Sequence, residues 1–170
     1  MTNDSERLLD ETGWELLCAL QENARSSYAD LGRRVGLTPP AVADRIRRFE
    51  AAGIITGYHA TVDPAKLGLG LTAIMRFKSA GAPYDRIVSL IRSCPEIIEC
   101  HDVTGDDCMI MTAAVSSVEH LQDLIARFTP FGASNTAIVL ASPLHHRVIG
   151  PAALQHAGAR DPVEQAQVSA

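Results

Sequence analysis

Two stretches of this sequence concentrate side chains able to recognise other molecules. Between Arg25 and Glu50 every basic side chain is an arginine: Arg25, Arg33, Arg34, Arg45, Arg47 and Arg48, set against Asp30, Asp44 and Glu50. Positive charge is therefore in local excess inside a chain of net charge −5. A planar guanidinium makes paired hydrogen bonds to phosphate oxygens or to a guanine edge, so a local cluster of arginines suits DNA. The same cluster would also serve as an ordinary solvated helix surface. The second stretch, Thr104-Gly105-Asp106-Asp107-Cys108, lies between two apolar runs. A tight turn there sets backbone N–H groups beside two carboxylates, the combination a zwitterionic metabolite requires. A plain solvated turn is the alternative.

Other chemistries find little support. Cys18, Cys94, Cys100 and Cys108 form no CxxC pair and each sits in an apolar run, where cysteine behaves as a small buried hydrophobe. His145 and His146 are adjacent, and neighbours on a strand point to opposite faces, so no metal is expected. No nucleophile–base pair or phosphate loop occurs, which argues against an enzyme and against a cofactor. Met1 to Arg7 is polar and acidic, unlike a signal peptide, and no apolar stretch approaches the ~18 residues that span a bilayer. A cytoplasmic protein without membrane contacts is expected.

The elements that must carry the arginines are three short helices. Asp10 to Glu22 places Trp14, Leu17, Cys18 and Leu20 near helical spacing, and Asn23 breaks the run. Ser26 or Ser27 can cap a second helix bearing Tyr28, Leu31 and Val35, which Gly36 stops. Thr38 then reads as an N-cap with Pro39 at the first helical position. Val42, Ile46 and Phe49 line one face of this third helix, which ends near Gly53. Two helices joined by a four-residue turn make a helix-turn-helix.

The remainder reads as a ferredoxin-like βαββαβ domain. Leu71 to Lys78 alternates, with Leu71, Ala73, Met75 and Phe77 on one face. Ala82-Pro83 opens a helix with Ile87, Leu90, Ile91 and Cys94, stopped at Pro95. Ile97 to Val103 and Cys108 to Val115 are strands around the Thr104–Asp107 turn. Ser117 caps a helix with Val118, Leu121, Leu124, Ile125 and Phe128 on one stripe, and Thr136 to Ser142 forms a last strand. Helices cover one sheet face; Ile74 and Val103 make the other partly apolar, so a homodimer is the simplest cover. Beyond Gly150, proline, glycine and scattered polar residues read as a flexible tail.

Several of these stretches resemble the Lrp/AsnC (feast/famine) regulators. They are Leu16-Leu17 with Leu20 to Leu31, Val35-Gly36-Leu37-Thr38-Pro39, Arg45 to Tyr58, and Asp63-Pro64-Ala65-Lys66-Leu67-Gly68. The likeness spans about residues 8–148. It implies an α+β protein: a winged-type helix-turn-helix over residues 1–57, a hinge strand and linker over 58–69, the ferredoxin-like domain over 70–148, and a tail over 149–170. It further implies double-stranded DNA as a partner, a homodimer or octamer, and an amino acid or related effector at subunit contacts. Pro40, Ala41, Asp44, Arg45 and Arg48 would then face the major groove after the Thr38 cap. Ser27, Tyr28, Arg34 and Arg47 would contact phosphates or support the helix. Thr104, Gly105, Asp106, Asp107 and Cys108 match the family's effector loop, with Asn135 and Thr136 as further lining. Two departures stand out: Pro40 replaces a small polar residue, and Cys108 takes the place of an aspartate. Should Pro40 abolish DNA affinity, the chain would instead be a ligand-binding or assembly protein.

Overall fold

The computed structural model describes residues 8–106 and 108–155. The chain divides into two compact units, Met1–Ala60 with Leu144–Ala170, and Thr61–Pro143.

The first unit is built on three helices. Asp10 caps α1 (Glu11–Glu22), its carboxylate accepting the Gly13 N–H at 2.7 Å. Ser27 caps α2 (Tyr28–Val35) by accepting from Asp30 N at 3.1 Å. Gly36 then turns the chain with φ 71, a left-handed value that costs a β-carbon-free residue nothing. The third helix, α3 (Pro39–Ala51), buries Val42, Ile46 and Phe49 against Leu16, Ala19, Leu20, Leu31 and Val35. Thr38 occupies the N-cap of α3 yet makes no side-chain cap bond. Pro40 removes one of the two backbone donors an N-cap side chain can use, the N2 N–H, and the N3 N–H of Ala41 is not bonded to Thr38.

Two sequence-based expectations for this unit need correction. The hinge strand is absent among the described residues: 55–63 has no regular structure, and Pro64–Leu67 is a 3₁₀ turn capped by Asp63. A strand needs a neighbour for its backbone groups, and this stretch has none within the single chain. The tail begins later than expected. Gln21 donates from its amide to Ile149 O at 3.0 Å and accepts from Ile149 N at 2.9 Å, before α6 (Ala152–Gln155). Of the expected tail, 156–170 lies outside the described residues.

The second unit runs β1 (Leu71–Ser79), α4 (Tyr84–Arg92), β2 (Ile97–Asp102), β3 (Met109–Val115), α5 (Val118–Phe128) and β4 (Gly132–Ile138). The sheet order is β2-β3-β1-β4, with every pairing antiparallel, as the βαββαβ reading requires. Ala73, Met75, Phe77, Met109, Met111, Ala113 and Val115 face Ile87, Leu121, Leu124 and Phe128, so both helices share one sheet face. The last strand starts earlier than its β-branched residues suggest. Gly132 pairs with Ser79 and Ile138 with Ala73, so β4 begins where the far end of β1 offers it a partner; Leu140, past the end of β4, is 96% exposed. The cysteines also divide differently from expectation. Cys94 is buried and Cys18 half-buried, whereas Cys100 on the edge strand and Cys108 beside the turn are exposed. His145 and His146 lie past β4 and are exposed. No helix among the described residues is long and apolar enough to cross a membrane.

Glu96, just before β2, fastens α5 to this sheet. Its Oε1 accepts from Arg127 Nη2 and lies 3.1 Å from His120 Nε2, its backbone oxygen accepts from Ala114 N, and its side chain is only 12% exposed. Burial by itself would raise the carboxyl's pKa; hydrogen bonds from Arg127, its own backbone and His120 outweigh that and hold it at about 2. A folded-state value below the unfolded 4.5 gives stability that is complete above pH ~4.5 and lost as pH falls toward 2. Allowing for solvent at the rim, Glu96→Gln should cost about 1–2 kcal/mol at pH 7. Thermal denaturation should show that deficit shrinking between pH 4.5 and pH 2.

Candidate nucleic-acid interface and effector loop

The buried stripe of α3 leaves its other residues facing outward. Thr38, Pro40, Ala41, Arg47 and Arg48 are exposed, and Asp44 is half-buried. Arg48 pairs with Asp44 one turn back at 2.7 Å, with side chains 66% and 50% exposed. Arg47 donates to Ala43 O of its own helix at 3.3 Å. Both guanidiniums sit at the surface, where exchanging such partners for phosphates is cheap. Tyr28, at the start of α2, is 49% exposed beside its Ser27 cap.

Two arginines of the sequence-derived set lie elsewhere. Arg34 reaches back to Glu22 on α1 at 2.6 Å, which lowers the Glu22 pKa. It helps line a cavity of about 490 Å³ with Glu11, Trp14, Glu15, Cys18 and Pro151. Arg45 is held by both carboxylate oxygens of Asp10. Spacing within α3 could not reveal this, because Asp10 stands thirty-five residues earlier. Past α3, Tyr58 donates its hydroxyl to Glu50 at 2.9 Å; burial, then that bond, push its pKa up to about 12.

The candidate effector loop closes the β2–β3 hairpin. Thr104, Gly105, Asp106 and Cys108 are exposed, Gly105 takes φ 106, and Asp107 lies outside the described residues. Cys108 commits both backbone groups to the sheet: its N–H donates to Phe77 O at 2.8 Å and its carbonyl accepts from Val103 N at 3.1 Å. A ligand at this turn must therefore find its N–H donors elsewhere in the loop. The register separates the other two candidates. Asn135 lies opposite Arg76 on the open face, whereas Thr136 lies opposite Met75 on the helix face, with its Oγ1 buried and unbonded. They cannot line one face together.

Comparison with known proteins now decides the family. A model described as winged helix-turn-helix DNA-binding matches residues 9–56, and one described as the Lrp/AsnC ligand binding domain matches 72–149. The chain belongs to the Lrp/AsnC family of transcriptional regulators. It is similar to the regulator LrpC of Bacillus subtilis, 32% identical over 133 residues, covering 78% of this chain and 92% of LrpC. The LrpC structure superposes with a TM-score of 0.77 at 30% identity, over 81% of this chain and 99% of LrpC. The leucine-responsive regulatory protein of Haemophilus influenzae is 32% identical over 124 residues, covering 71% of this chain and 75% of that protein. A Neisseria meningitidis transcriptional regulator, solved as an L-Met complex, gives a TM-score of 0.78 at 26% identity, over 86% of this chain and 99% of that one. In this Lrp/AsnC chain the two helix caps should differ in worth. Ser27→Ala should cost about 1 kcal/mol of stability. Thr38→Ala, which removes no cap bond, should stay within about 0.5 kcal/mol, as read from denaturant midpoints.

Proposed function

We propose that the chain is a sequence-specific DNA-binding regulator that acts in the cytoplasm as a homodimer or larger assembly and answers to an amino acid or a related metabolite. The exposed N-terminal face of α3 carries this reading: Pro40, Ala41, Asp44 and Arg48 project from a helix whose opposite stripe is wholly buried. Such a face fits the major groove, where Arg48 could take the N7 and O6 of a guanine, while Ser27, Tyr28 and Arg47 meet phosphates. Pro40 and Ala41 can offer only apolar contact, for which a thymine methyl is the natural counterpart. A homodimer would need a pseudo-palindromic operator. Gel-shift titration on the DNA upstream of the chain's own gene tests the reading. Arg48→Ala should weaken specific binding by about 1–3 kcal/mol, and equal affinity would remove Arg48 from base readout.

The open sheet face, with half-buried Ile74, Val103 and Ile110, supports self-association. Effector binding is placed at the hairpin loop: Thr104, Gly105 and Asp106, with Asp107 and Cys108, where Asp106 or Asp107 would receive the ligand's ammonium. The L-Met complex of the Neisseria relative supports an amino acid as the ligand class. Cys108, neutral where the family carries an aspartate, would shift selectivity away from the usual ligands. Calorimetry with single amino acids should detect binding to the wild-type chain. Asp106→Ala or Asp107→Ala should weaken it about ten-fold or more, the value of one charged hydrogen bond. Unchanged affinity in both variants would move the site away from this loop.

A further inference from the structure

Arg45 and Arg48 are three residues apart on α3 yet differ in surroundings. The Arg48 side chain is 66% exposed and that of Arg45 25%. Both terminal nitrogens of Arg45 are taken by one carboxylate: Nη1 donates to Asp10 Oδ1, and Nη2 to Asp10 Oδ2 at 2.9 Å. Such a fork-on-fork pair fixes the rotation of a guanidinium as well as its position. Asp10 is itself immobilised, because Oδ1 also accepts the Gly13 N–H and caps α1. Gly13 leaves the space this requires. A β-carbon there would stand 2.1 Å from Leu8 O and 3.1 Å from Arg45 Nη1. The pair therefore joins the first residue before α1 to the middle of α3, next to the core anchor Ile46.

We infer that Arg45 is a positioning residue for DNA recognition and not a DNA contact: through Asp10 it locks α3 to the start of α1 and sets the angle at which Pro40, Ala41, Asp44 and Arg48 meet the groove. This rests on the DNA-reading function proposed above. Reaching a phosphate would require Arg45 to abandon a bidentate partner and leave an unpaired carboxylate behind. Arg48, whose pair with Asp44 lies at the surface with both side chains at least half exposed, faces no comparable barrier.

The full-length chain and its operator supply the test. Asp10→Asn retains an oxygen to cap α1 but removes the charge; Arg45→Gln removes the cation. A locking role predicts that each variant weakens operator binding about five-fold, that the double variant is no worse than either, and that the salt dependence stays that of wild type. Arg45→Lys, able to keep one bond, should fall between wild type and Arg45→Gln. A DNA-contacting Arg45 predicts the opposite sign for Asp10→Asn, since freeing a cation and deleting an anion should tighten binding. It also predicts a salt slope lower by about one in Arg45→Gln. Either result overturns the inference, as do additive losses in the double variant. Melting temperatures read the lock without DNA: the two single losses should again fail to add. If the wild-type chain binds no DNA, the function reading fails first, before any variant is compared. Non-additive melting losses would then still establish the Asp10–Arg45 lock.

Discussion

Val42, Ile46 and Phe49 hold α3 by its inner face, and most of what the first unit can do depends on that burial. Each is at most 3% exposed, and burying side chains of this size contributes about 1.5–3 kcal/mol apiece. The stripe fixes the rotation of α3 about its own axis, because the partners Leu16, Leu20, Leu31 and Val35 come from two other helices. Once that rotation is set, positions 40, 41, 44, 47 and 48 have no choice but to face outward. The outward face of α3 proposed to meet DNA is thus a consequence of core packing. Salt links such as Asp10–Arg45 and Glu22–Arg34 adjust the helices around this core rather than create it.

A comparable logic governs the second unit, with β1 in place of α3. As a central strand it sets the register of both β3 and β4, and its alternation assigns every neighbour to the helix face or the open face. Ala73, Met75 and Phe77 are fully buried on the helix side. The opposite side carries Thr72, Ile74, Arg76 and Lys78, a mixed surface of the kind subunit contacts use. The hairpin loop leaves the sheet at the Phe77 end of β1, anchored there by the Cys108 N–H. A ligand bound at that loop would press on the strand that organises the whole domain.

The sequence conveyed the elements well where a local rule decides them. Ser27 and Ser117 cap helices in the structure, and Gly36 takes the left-handed turn. Apolar periodicity located the buried stripe of α3 and the core of the second unit, whereas α1 buries Leu16, Ala19 and Leu20 instead of the expected Trp14, Leu17 and Cys18 with Leu20. It misled where a local rule met a non-local constraint. Thr38 has the chemistry of a cap and stands at the N-cap, yet its side chain makes no cap bond, and Pro40 takes away the N2 donor. Thr136 to Ser142 has strand-forming residues, yet β4 occupies Gly132–Ile138, starting early because Gly132 to Asn135 find partners in Ser79 to Arg76 of β1. Cys100 sits in an apolar run and is exposed because β2 is an edge strand.

By itself, then, the sequence determined the two-part architecture, the helix-turn-helix and the loop that resembles an effector site, since caps, turns and periodicity act over a few residues. Which arginines remain available to a partner was decided only by tertiary structure. Arg45 and Arg48 are indistinguishable by residue type and nearly so by position, yet one is gripped by Asp10 and the other lies at the surface. The same holds for Asn135 and Thr136, sent to opposite faces by register, and for Ile149, secured by Gln21 from the far end of the chain. Ion pairing and backbone clamping of this sort depend on distances that only folding creates, and nothing in the spacing of residues along the chain records them.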